Sequence, residues 1–475
     1  MSADHGYEPR DLHAPRFRVR PPANWVNDPN GPFRWRGRYH LFYQYNPDAP
    51  VHANMHWGHA SSLDLAHWEH HPIALTPTPG GPDEGGCWSG CVVDDAGVPT
   101  AVYTGVDREH AGLGAICLAQ AASDSAELTA WRSLPDPVVS GPPEGLDVTM
   151  FRDPFVFRHG GRRWALVGAG HGDGTPSVLL YDCDDLTSWR FAGVLVDGRN
   201  AMAVEAFGNG AVGWECPQLY EGDAGGEWVL VVSLWDGDPV STAYLTGRLI
   251  TATDGGLPRF IPHAGGRLDE GRDFYAPAVL HDTEAGRTLL WGWSWEARDR
   301  RDVADAGWSG VLTAPRVVGT HPDGRVRVAP APELQLLRSE TPFATEPVRT
   351  PLPLAYDLEI TAVATTTVTL LRTASGKELT LTLDPAAGTV TLDRTGWPRE
   401  RPDGSGPITL RSTPAALGGL ALRVLVDGSL LELFAADRAV ATERVYRRPD
   451  DIAELTLHGE GVTVTGWEVV APEHG

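Results

Sequence analysis

The pentapeptide D-L-A-H-W at residues 64–68 recurs as E-L-T-A-W at residues 127–131 and as D-L-T-S-W at residues 185–189. The copies start 63 and 58 residues apart. A fixed period of this kind indicates an architecture built from similar supersecondary units. About 60 residues is enough chain for one four-stranded antiparallel sheet and its loops. The spacing therefore predicts a fold assembled from repeated sheets.

A second series of short motifs keeps the same period and alternates with the first. Its five members follow one another at steps of 61, 64, 62 and 60 residues. Five marks at one spacing predict a five-bladed β-propeller, because radial repetition leaves only short, protected sheet edges. The members are Asp28-Pro29, Ser89, Asp153-Pro154, Glu215-Cys216-Pro217 and Tyr275-Ala276-Pro277.

The rest of the chain consists mostly of short β-like runs broken by glycine, proline and aspartate. This pattern, with 54 glycines and 39 prolines, predicts an all-β protein and excludes a helical bundle. The repeat ends near residue 316, and a further set of alternating runs predicts a separate β-sandwich. We therefore expect a propeller over residues 12–320, a connector over residues 321–345 and a β-sandwich over residues 346–475.

The charge balance excludes several classes of function. The 475-residue chain has 39 Lys and Arg against 62 Asp and Glu, a formal net charge of −23. Such a surface repels phosphate backbones and anionic lipids, so we expect no nucleic-acid partner and no membrane partner. Lys377 is the only lysine, which leaves little scope for amine chemistry. The 17 tryptophans, by contrast, offer flat surfaces of the kind that hold sugars.

Targeting signals and cysteines bear on the compartment. The first 20 residues contain no apolar segment of the signal-peptide type, and no Asn-X-Ser/Thr sequon occurs in the chain. The five cysteines are sparse and odd in number, which is untypical of a disulfide framework. We therefore predict a cytoplasmic protein. Export by a route without a recognisable signal is the alternative.

Three of the repeated positions carry carboxyl groups. The innermost strand of each propeller blade faces a central channel, so equivalent positions of the repeat converge there. Asp28, Asp153 and Glu215 hold these positions in blades one, three and four. Like charges in one partly dry pocket raise at least one pKa, which separates a permanent anion from a proton donor. Glycoside hydrolysis needs this division. Taken singly, each acid is an ordinary turn or strand-end residue.

The motifs then resemble those of glycoside hydrolase family 32, the family of invertases, inulinases and levanases. The resemblance runs from about residue 12 to the end of the chain, and its motifs are specific as an ordered set. The matching segments are W-V-N-D-P-N-G at residues 25–31, F-Y-Q-Y-N-P at 42–47, H-W-G-H at 56–59, W-S-G at 88–90, F-R-D-P at 151–154, E-C-P at 215–217, D-F-Y-A at 273–276, G-W-S-G at 307–310, V-D-G-S at 426–429 and E-L-F at 432–434.

This resemblance implies a retaining β-fructofuranosidase. Asp28 matches the nucleophile that attacks C2 of the fructosyl unit, and Glu215 matches the general acid and base. Asp153 matches the residue that stabilises the transition state. Retention would place the nucleophile and the acid about 5–5.5 Å apart. The implied substrate is a terminal β-fructosyl unit of sucrose or a short fructan, removed in exo fashion.

Further residues match family positions that contact or surround the substrate. For each aromatic side chain among them, packing between blades is the alternative interpretation. Three positions depart from the family: Val26 replaces a methionine, Cys91 replaces a small residue, and the turn at residues 434–437 lacks Asn-x-Gly. The matched binding residues are Trp25, Asn27, Gln44, Trp57, Trp88, Ser89, Arg152, Tyr275 and Trp295.

Several alternatives remain open from the sequence. A transfructosylase or a fructan-specific exo-hydrolase would use the same scaffold, and a non-catalytic sugar-binding propeller represents another class. Six histidines lie between residues 52 and 71, but the matched family needs no metal, so we predict neither a metal site nor a cofactor. The sandwich is expected to support the propeller, with homodimer contacts through it as an open alternative.

Overall fold

The computed structural model describes residues 11–107, 112–223, 225–251, 256–343, 349–395, 397, 406–412 and 419–470. Five sheets of four or five strands are followed by two sheets of six and five strands. The all-β architecture of a five-bladed propeller and a β-sandwich is thus confirmed. None of the helices in the described ranges is long and apolar enough to span a membrane.

Each of the first three blades is a meander of four antiparallel strands. In every blade the strands pair in sequence order, so the innermost strand comes first and the outermost last. The strands are β1 (Asn24–Trp35), β2 (Arg38–Asn46), β3 (His56–Ser62) and β4 (Trp68–Leu75); β5 (Gly86–Asp95), β6 (Val98–Val106), β7 (Ala115–Ala121) and β8 (Trp131–Ser133); and β9 (Val148–His159), β10 (Arg162–His171), β11 (Pro176–Asp182) and β12 (Arg190–Asp197).

The last two blades contain the helical insertions. A strand at Val326–Pro330 lies within the segment predicted to be a connector. Because it pairs along its length with the strand before it, it is the outermost strand of blade five. The elements are α1 (Ala201–Phe207), β13 (Gly213–Glu221), β14 (Trp228–Trp235), β15 (Pro239–Ile250), β16 (Arg259–Arg267), β17 (Tyr275–Asp282), β18 (Arg287–Ser294), α2 (Arg300–Ala306), β19 (Trp308–Ser309), β20 (Val311–Leu312), β21 (Arg316–Thr320) and β22 (Val326–Pro330).

The [DE]-L-x-x-W motif forms the turn between the third and fourth strands of blades one to three. Its leucine is buried in each copy, and its tryptophan closes the turn with a hydrogen bond from the indole N–H to the leucine carbonyl. The motif therefore repeats for a structural reason. The pairs are Trp68 with Leu65 at 3.1 Å, Trp131 with Leu128 at 2.8 Å and Trp189 with Leu186 at 2.8 Å.

The second repeated series marks the innermost strands. β1, β5, β9, β13 and β17 contact one another around the channel, and each carries a register shift at the residues of the series. A β-bulge bends a strand and changes the direction of a side chain. Proline suits such a position because it has no N–H to donate to the ladder. The bulges therefore explain why Pro follows the marked residue in four blades.

A short parallel pair of strands closes the ring of blades. β19 pairs with the start of β1 through Asn24 opposite Trp308 and Trp25 opposite Ser309. Gly310 follows with a φ of +80°, and a Cβ there would lie 2.0 Å from the carbonyl oxygen of Val26. Only glycine fits this close approach. The segment between β18 and β21 of blade five thus holds the first strand in place.

Two facing sheets form the β-sandwich, after a 3₁₀ helix at Pro332–Leu337. The predicted boundary at residues 345 and 346 lies outside the described residues. The strands are β23 (Thr350–Pro351), β24 (Ala355–Ala362), β25 (Thr366–Arg372), β26 (Glu378–Asp384), β27 (Thr389–Asp393), β28 (Ile408–Arg411), β29 (Leu420–Asp427), β30 (Leu430–Ala435), β31 (Ala439–Arg444), β32 (Ile452–His458) and β33 (Val462–Glu468).

The V-D-G-S and E-L-F segments fasten the sandwich to the propeller. Asp427 accepts backbone N–H groups of residues 16, 17 and 18, in the segment that leads into β1. Glu432 is fully buried and lies 2.6 Å from the guanidinium of Arg18 and 2.8 Å from that of Arg316. Arg316 also reaches Asp269 of the propeller at 2.8 Å. One buried carboxylate thus joins β30 to two parts of the propeller.

We predict that Arg316→Met lowers the free energy of unfolding by about 3–5 kcal/mol. Methionine keeps most of the volume but leaves Glu432 and Asp269 with less compensation for their buried charge, which is the costly case. Chemical denaturation measures the change. Arg301→Met is the matched control, because Arg301 is exposed on α2 and its pair with Asp305 should contribute little. Equal stability of the two variants would contradict a role for the buried network.

Candidate active site

The bulged innermost strands bring the three predicted carboxyl groups to one end of the channel. Asp153 adopts a φ of 65° and Cys216 a φ of 45°, left-handed conformations that non-glycine residues seldom adopt. Such strain persists where the surrounding fold enforces it. A single thiol, that of Cys216, lies 3.5 Å from Oδ2 of Asp28 and 3.5 Å from Oδ2 of Asp153. Glu215 is the neighbour of this cysteine in the chain, so the three acids form one cluster.

Asp28 is held by side chains of its own blade and the next. The Ser89 hydroxyl donates to Oδ2 at 2.6 Å, and the Asn27 amide donates to Oδ1 at 3.0 Å. Trp25 in turn orients Asn27 through its indole N–H at 2.7 Å. Burial, opposed by the bond from Ser89, raises the pKa of Asp28 to about 6. The carboxyl group is therefore fixed in direction and ionised at neutral pH.

Asp153 lies deeper and is bonded mainly to the backbone. The N–H of Cys216 donates to its Oδ2 at 3.0 Å, and its own N–H donates to Oγ1 of Thr104 at 2.8 Å. Burial and the nearby Glu215 raise the pKa of Asp153 to about 7, against the opposing effect of Arg152. At neutral pH the cluster therefore holds both an anion and a carboxyl that is partly protonated, as the convergence of like charges predicts.

Glu215 is ion-paired. Nε and Nη2 of Arg152 both lie 2.8 Å from its Oε1, and the Tyr275 hydroxyl lies 2.6 Å from its Oε2. The guanidinium of Arg152 is enclosed by indole rings, with Trp88 at 5.7 Å and Trp235 at 5.1 Å. Arginine suits this place because its planar group can stack on rings while it bonds a carboxylate.

Trp295 is held by a contact that crosses to the sandwich. Its indole N–H donates to Oδ1 of Asp273 at 2.8 Å, while Oδ2 of Asp273 accepts the backbone N–H of Arg444 at 2.7 Å. Trp295 packs against Tyr275 with ring centroids 5.5 Å apart. The predicted residues Tyr275 and Trp295 thus lie together beside Glu215, and β31 of the sandwich supports them.

Two predicted binding residues are almost completely buried. Trp57 is 1% exposed, packs on Phe42, and donates its indole N–H to the Trp88 carbonyl at 3.0 Å. Gln44 is 2% exposed and donates to the Cys87 carbonyl at 3.0 Å. Both hold blade two against blade one. Through these bonds both residues also support the strand that carries Trp88 and Ser89.

The ring that lies between Trp25 and Trp88 belongs to His52, a residue without a site role in the sequence analysis. Its centroid is 5.9 Å from that of Trp25 and 5.8 Å from that of Trp88, both with edge geometry. His52 lies in the loop between β2 and β3, outside every repeated motif. Sequence reasoning therefore had no signal for it beyond its place among clustered histidines.

The other histidines of that stretch do not form a metal centre. No group of three or more metal-ligating side chains with suitable geometry is found in the described ranges. His40 and His59 pair at 3.0 Å in the core of blade one, stacked on Phe42, and His71 bonds Ser61 at 2.7 Å. Burial lowers the pKa of both His40 and His59, so they serve as neutral packing groups.

A separate cavity of about 580 Å³ opens at the opposite end of the channel. It is lined by the later halves of the five innermost strands and contains none of the three carboxyl groups. The site chemistry is thus confined to the end where the innermost strands begin. There, two carboxyl groups of raised pKa, an ion-paired third and several indole rings can bind a polar ring, attack it and transfer a proton.

Comparison with known families and proteins shows what the chain is similar to. The chain matches the model of the N-terminal domain of glycosyl hydrolases family 32 over residues 18–330 and that of the family 32 C-terminal domain over residues 338–470. A sucrose-6-phosphate hydrolase of Zymomonas mobilis is 32% identical over 449 residues, which cover 89% of this chain and 84% of the relative. A raffinose invertase of Escherichia coli is 31% identical, covering 95% and 94%.

Solved structures show the same fold. A family 32 β-fructofuranosidase of Bombyx mori superposes with a TM-score of 0.78 at 26% identity, covering 97% of this chain and 95% of that one. A sucrose-6-phosphate hydrolase of Lactobacillus gasseri gives a TM-score of 0.83 at 24% identity, with coverage of 97% and 94%.

We predict that none of the five cysteines reacts readily in the native protein. All five are buried, and burial together with Asp153 and Asp28 raises the pKa of the Cys216 thiol well above its ordinary value. Thiolate is the reactive form, so modification should be slow. Titration with 5,5′-dithiobis(2-nitrobenzoate) should detect less than one thiol per native chain and all five after denaturation. A rapid native reaction that Cys216→Ser abolishes and Cys183→Ser preserves would contradict this.

Proposed function

Because the chain belongs to glycoside hydrolase family 32, we propose that it is a retaining β-fructofuranosidase that releases terminal β-fructosyl units from sucrose or short fructans. The observation that carries the proposal is the cluster of Asp28, Asp153 and Glu215, each fixed by donors of its own. Relatives that match along most of the chain are named for hydrolysis of sucrose 6-phosphate or for invertase activity. A solved relative at 26% identity contains bound sucrose.

Asp28 is the proposed nucleophile. Its carboxylate attacks C2 of the fructosyl unit, and the bond from C2 to the leaving oxygen breaks as the bond to Asp28 forms. The donors Ser89 and Asn27 hold the two carboxyl oxygens in a fixed direction. They also favour the ionised form against the effect of burial, so that a nucleophile is available near neutral pH.

Glu215 is the proposed acid, and its bond to Tyr275 supports this role. The Tyr275 oxygen lies 2.6 Å from Oε2 of Glu215 and 3.0 Å from the Leu234 carbonyl oxygen. A phenol has one proton, and a carbonyl can only accept. If Tyr275 donates its proton to the bond with Leu234, its oxygen can bond Glu215 only by accepting a hydrogen bond from the protonated carboxyl group. The pair of contacts is therefore fully satisfied when Glu215 is protonated, the state in which it can protonate the leaving oxygen.

The second half of the reaction returns the enzyme to its starting state. Ionised Glu215 takes a proton from water, and the resulting hydroxide attacks C2 and breaks the ester to Asp28. Arg152 supports Glu215 while it is an anion, because both of its bonding nitrogens already face Oε1. Asp153, with a raised pKa, is suited to hydrogen-bond the fructosyl hydroxyls as positive charge develops at C2.

The proposal extends to the compartment. Five unpaired and buried cysteines suit a reducing environment, so we place the enzyme in the cytoplasm, acting on small imported sugars. The three acids lie at one end of the channel, which suits an exo enzyme that accepts one terminal fructose at a time.

We predict that Glu215→Gln lowers kcat/KM for sucrose by about 10²–10⁴-fold and for 4-nitrophenyl β-D-fructofuranoside by much less, because only the sugar leaving group needs protonation. Steady-state assays of released glucose, fructose and nitrophenol measure this. Glu221→Gln is the matched control, since Glu221 lies on the same strand at the far end of the channel. Equal losses on both substrates would remove Glu215 from the acid role. Wild-type enzyme that frees no fructose from either donor would refute the proposed function.

We also predict a pH dependence set by Asp28. Its pKa is about 6, and protonation removes the nucleophile, so kcat/KM for sucrose should fall as the pH drops below 6. Ser89→Ala removes a bond that lowers this pKa and should move the acid limb to higher pH by about one pH unit, the equivalent of ~1.4 kcal/mol. Ser177→Ala, buried in blade three, is the control. An unmoved limb in the Ser89 variant would show that another group controls it.

A further inference from the structure

Planar side chains form an almost closed ring around the three carboxyl groups, which we call the collar. Successive members lie between 5.1 and 6.0 Å apart, measured between ring centroids or from the guanidinium carbon to a centroid. The ends of the series meet where the Tyr275 hydroxyl bonds the carbonyl of Leu234, next to Trp235. The members are Tyr275, Trp295, Trp293, Trp25, His52, Trp88, Arg152 and Trp235.

His52 is the exposed member of this collar. Tyr275, Trp293 and Trp295 are buried, and Trp25 and Trp88 are half-buried. Within the part of the chain that the structure describes, neither ring nitrogen of His52 forms a hydrogen bond with another residue. The ring meets both neighbouring indoles in T-shaped geometry and bonds its own backbone, so it has a defined position while one nitrogen stays available to a ligand.

The contacts of Trp88 locate His52 within the site. The Trp88 ring, whose centroid lies 5.8 Å from that of His52, also packs under the guanidinium of Arg152 at 5.7 Å, and Arg152 is paired with Glu215. His52 therefore lies on the side of the pocket where the proposed acid meets the leaving oxygen. In the loop that carries it, Asp48 is bonded to Asn54 at 2.7 Å.

We propose that His52 contacts the leaving sugar and selects neutral, hydroxylated leaving groups over phosphorylated ones. This rests on the proposed function, because only that assigns the side near Glu215 to the leaving group. An uncharged imidazole offers one donor and one acceptor to sugar hydroxyls. The protein around the exposed ring partly desolvates it and so lowers the pKa of His52. The ring therefore supplies no cation for a phosphate at neutral pH, and Arg152 is already paired with Glu215.

The test uses His52→Ala, His52→Gln and the control His67→Ala, whose ring is exposed on blade one and bonded to Asp64. We expect His52→Ala to raise KM for sucrose about five- to tenfold, as fits the loss of one or two neutral hydrogen bonds. Inhibition by fructose should change less than twofold, since fructose fills the inner part of the pocket. His52→Gln, which keeps a donor and an acceptor, should recover most of the loss.

A charge variant tests the leaving-group preference. Wild-type enzyme should have a higher kcat/KM for sucrose than for sucrose 6-phosphate at pH 7, and His52→Arg should shift this ratio toward the phosphorylated substrate by at least tenfold. Several outcomes would overturn the inference: sucrose KM unchanged in His52→Ala, fructose inhibition weakened as much as sucrose binding, or a wild-type preference for sucrose 6-phosphate. A wild-type enzyme inactive on every fructoside would instead refute the proposed function.

Discussion

Repulsion among three carboxyl groups in one dry channel mouth is the constraint on which the rest of the site depends. One cation and several fixed hydrogen-bond donors offset this repulsion. Arg152 compensates Glu215, Ser89 and Asn27 donate to Asp28, and the N–H of Cys216 donates to Asp153. Partial protonation of Asp153, whose pKa is raised to about 7, removes part of the remaining charge. The same partial compensation keeps a nucleophile and a proton donor in one pocket, which water alone would not do.

That arrangement requires bulges, and the bulges require a rigid ring. Positive φ values at Asp153 and Cys216 cost of order 1–3 kcal/mol each and persist because the neighbouring blades fix both strands. The sandwich contributes to this rigidity. It anchors the segment before β1 through Asp427 and supports the Trp295 wall through the N–H of Arg444. A domain without a catalytic group thus holds both sides of the site.

The sequence predicted the propeller and the convergence of the acids from periodicity, because equivalent residues of a radial repeat face one channel. It predicted the sandwich from the alternating β-like runs that follow the repeat. It failed where position depends on a single loop. His52 comes from a loop without a repeated motif, yet its ring lies between Trp25 and Trp88. The strand Val326–Pro330 was hidden in a Pro-rich, charged stretch. The role of Asp427, a contact across some 410 residues, could not follow from any local pattern.

The departure at the β30–β31 turn shows how the two domains compensate each other. Ala436 and Asp437 adopt left-handed φ values of 45° and 58°, a pair of positions that favours Asn-Gly in isolated hairpins. Here the Asp437 carbonyl accepts the N–H of Val328 at 3.0 Å, from the outermost strand of blade five. Docking against the propeller therefore fixes a turn that the local sequence disfavours. Glu432 lies in the same hairpin, so a strained turn and a buried ion pair stabilise one interface between the domains. That interface in turn keeps Glu215, Tyr275 and the ring of Trp295 in position.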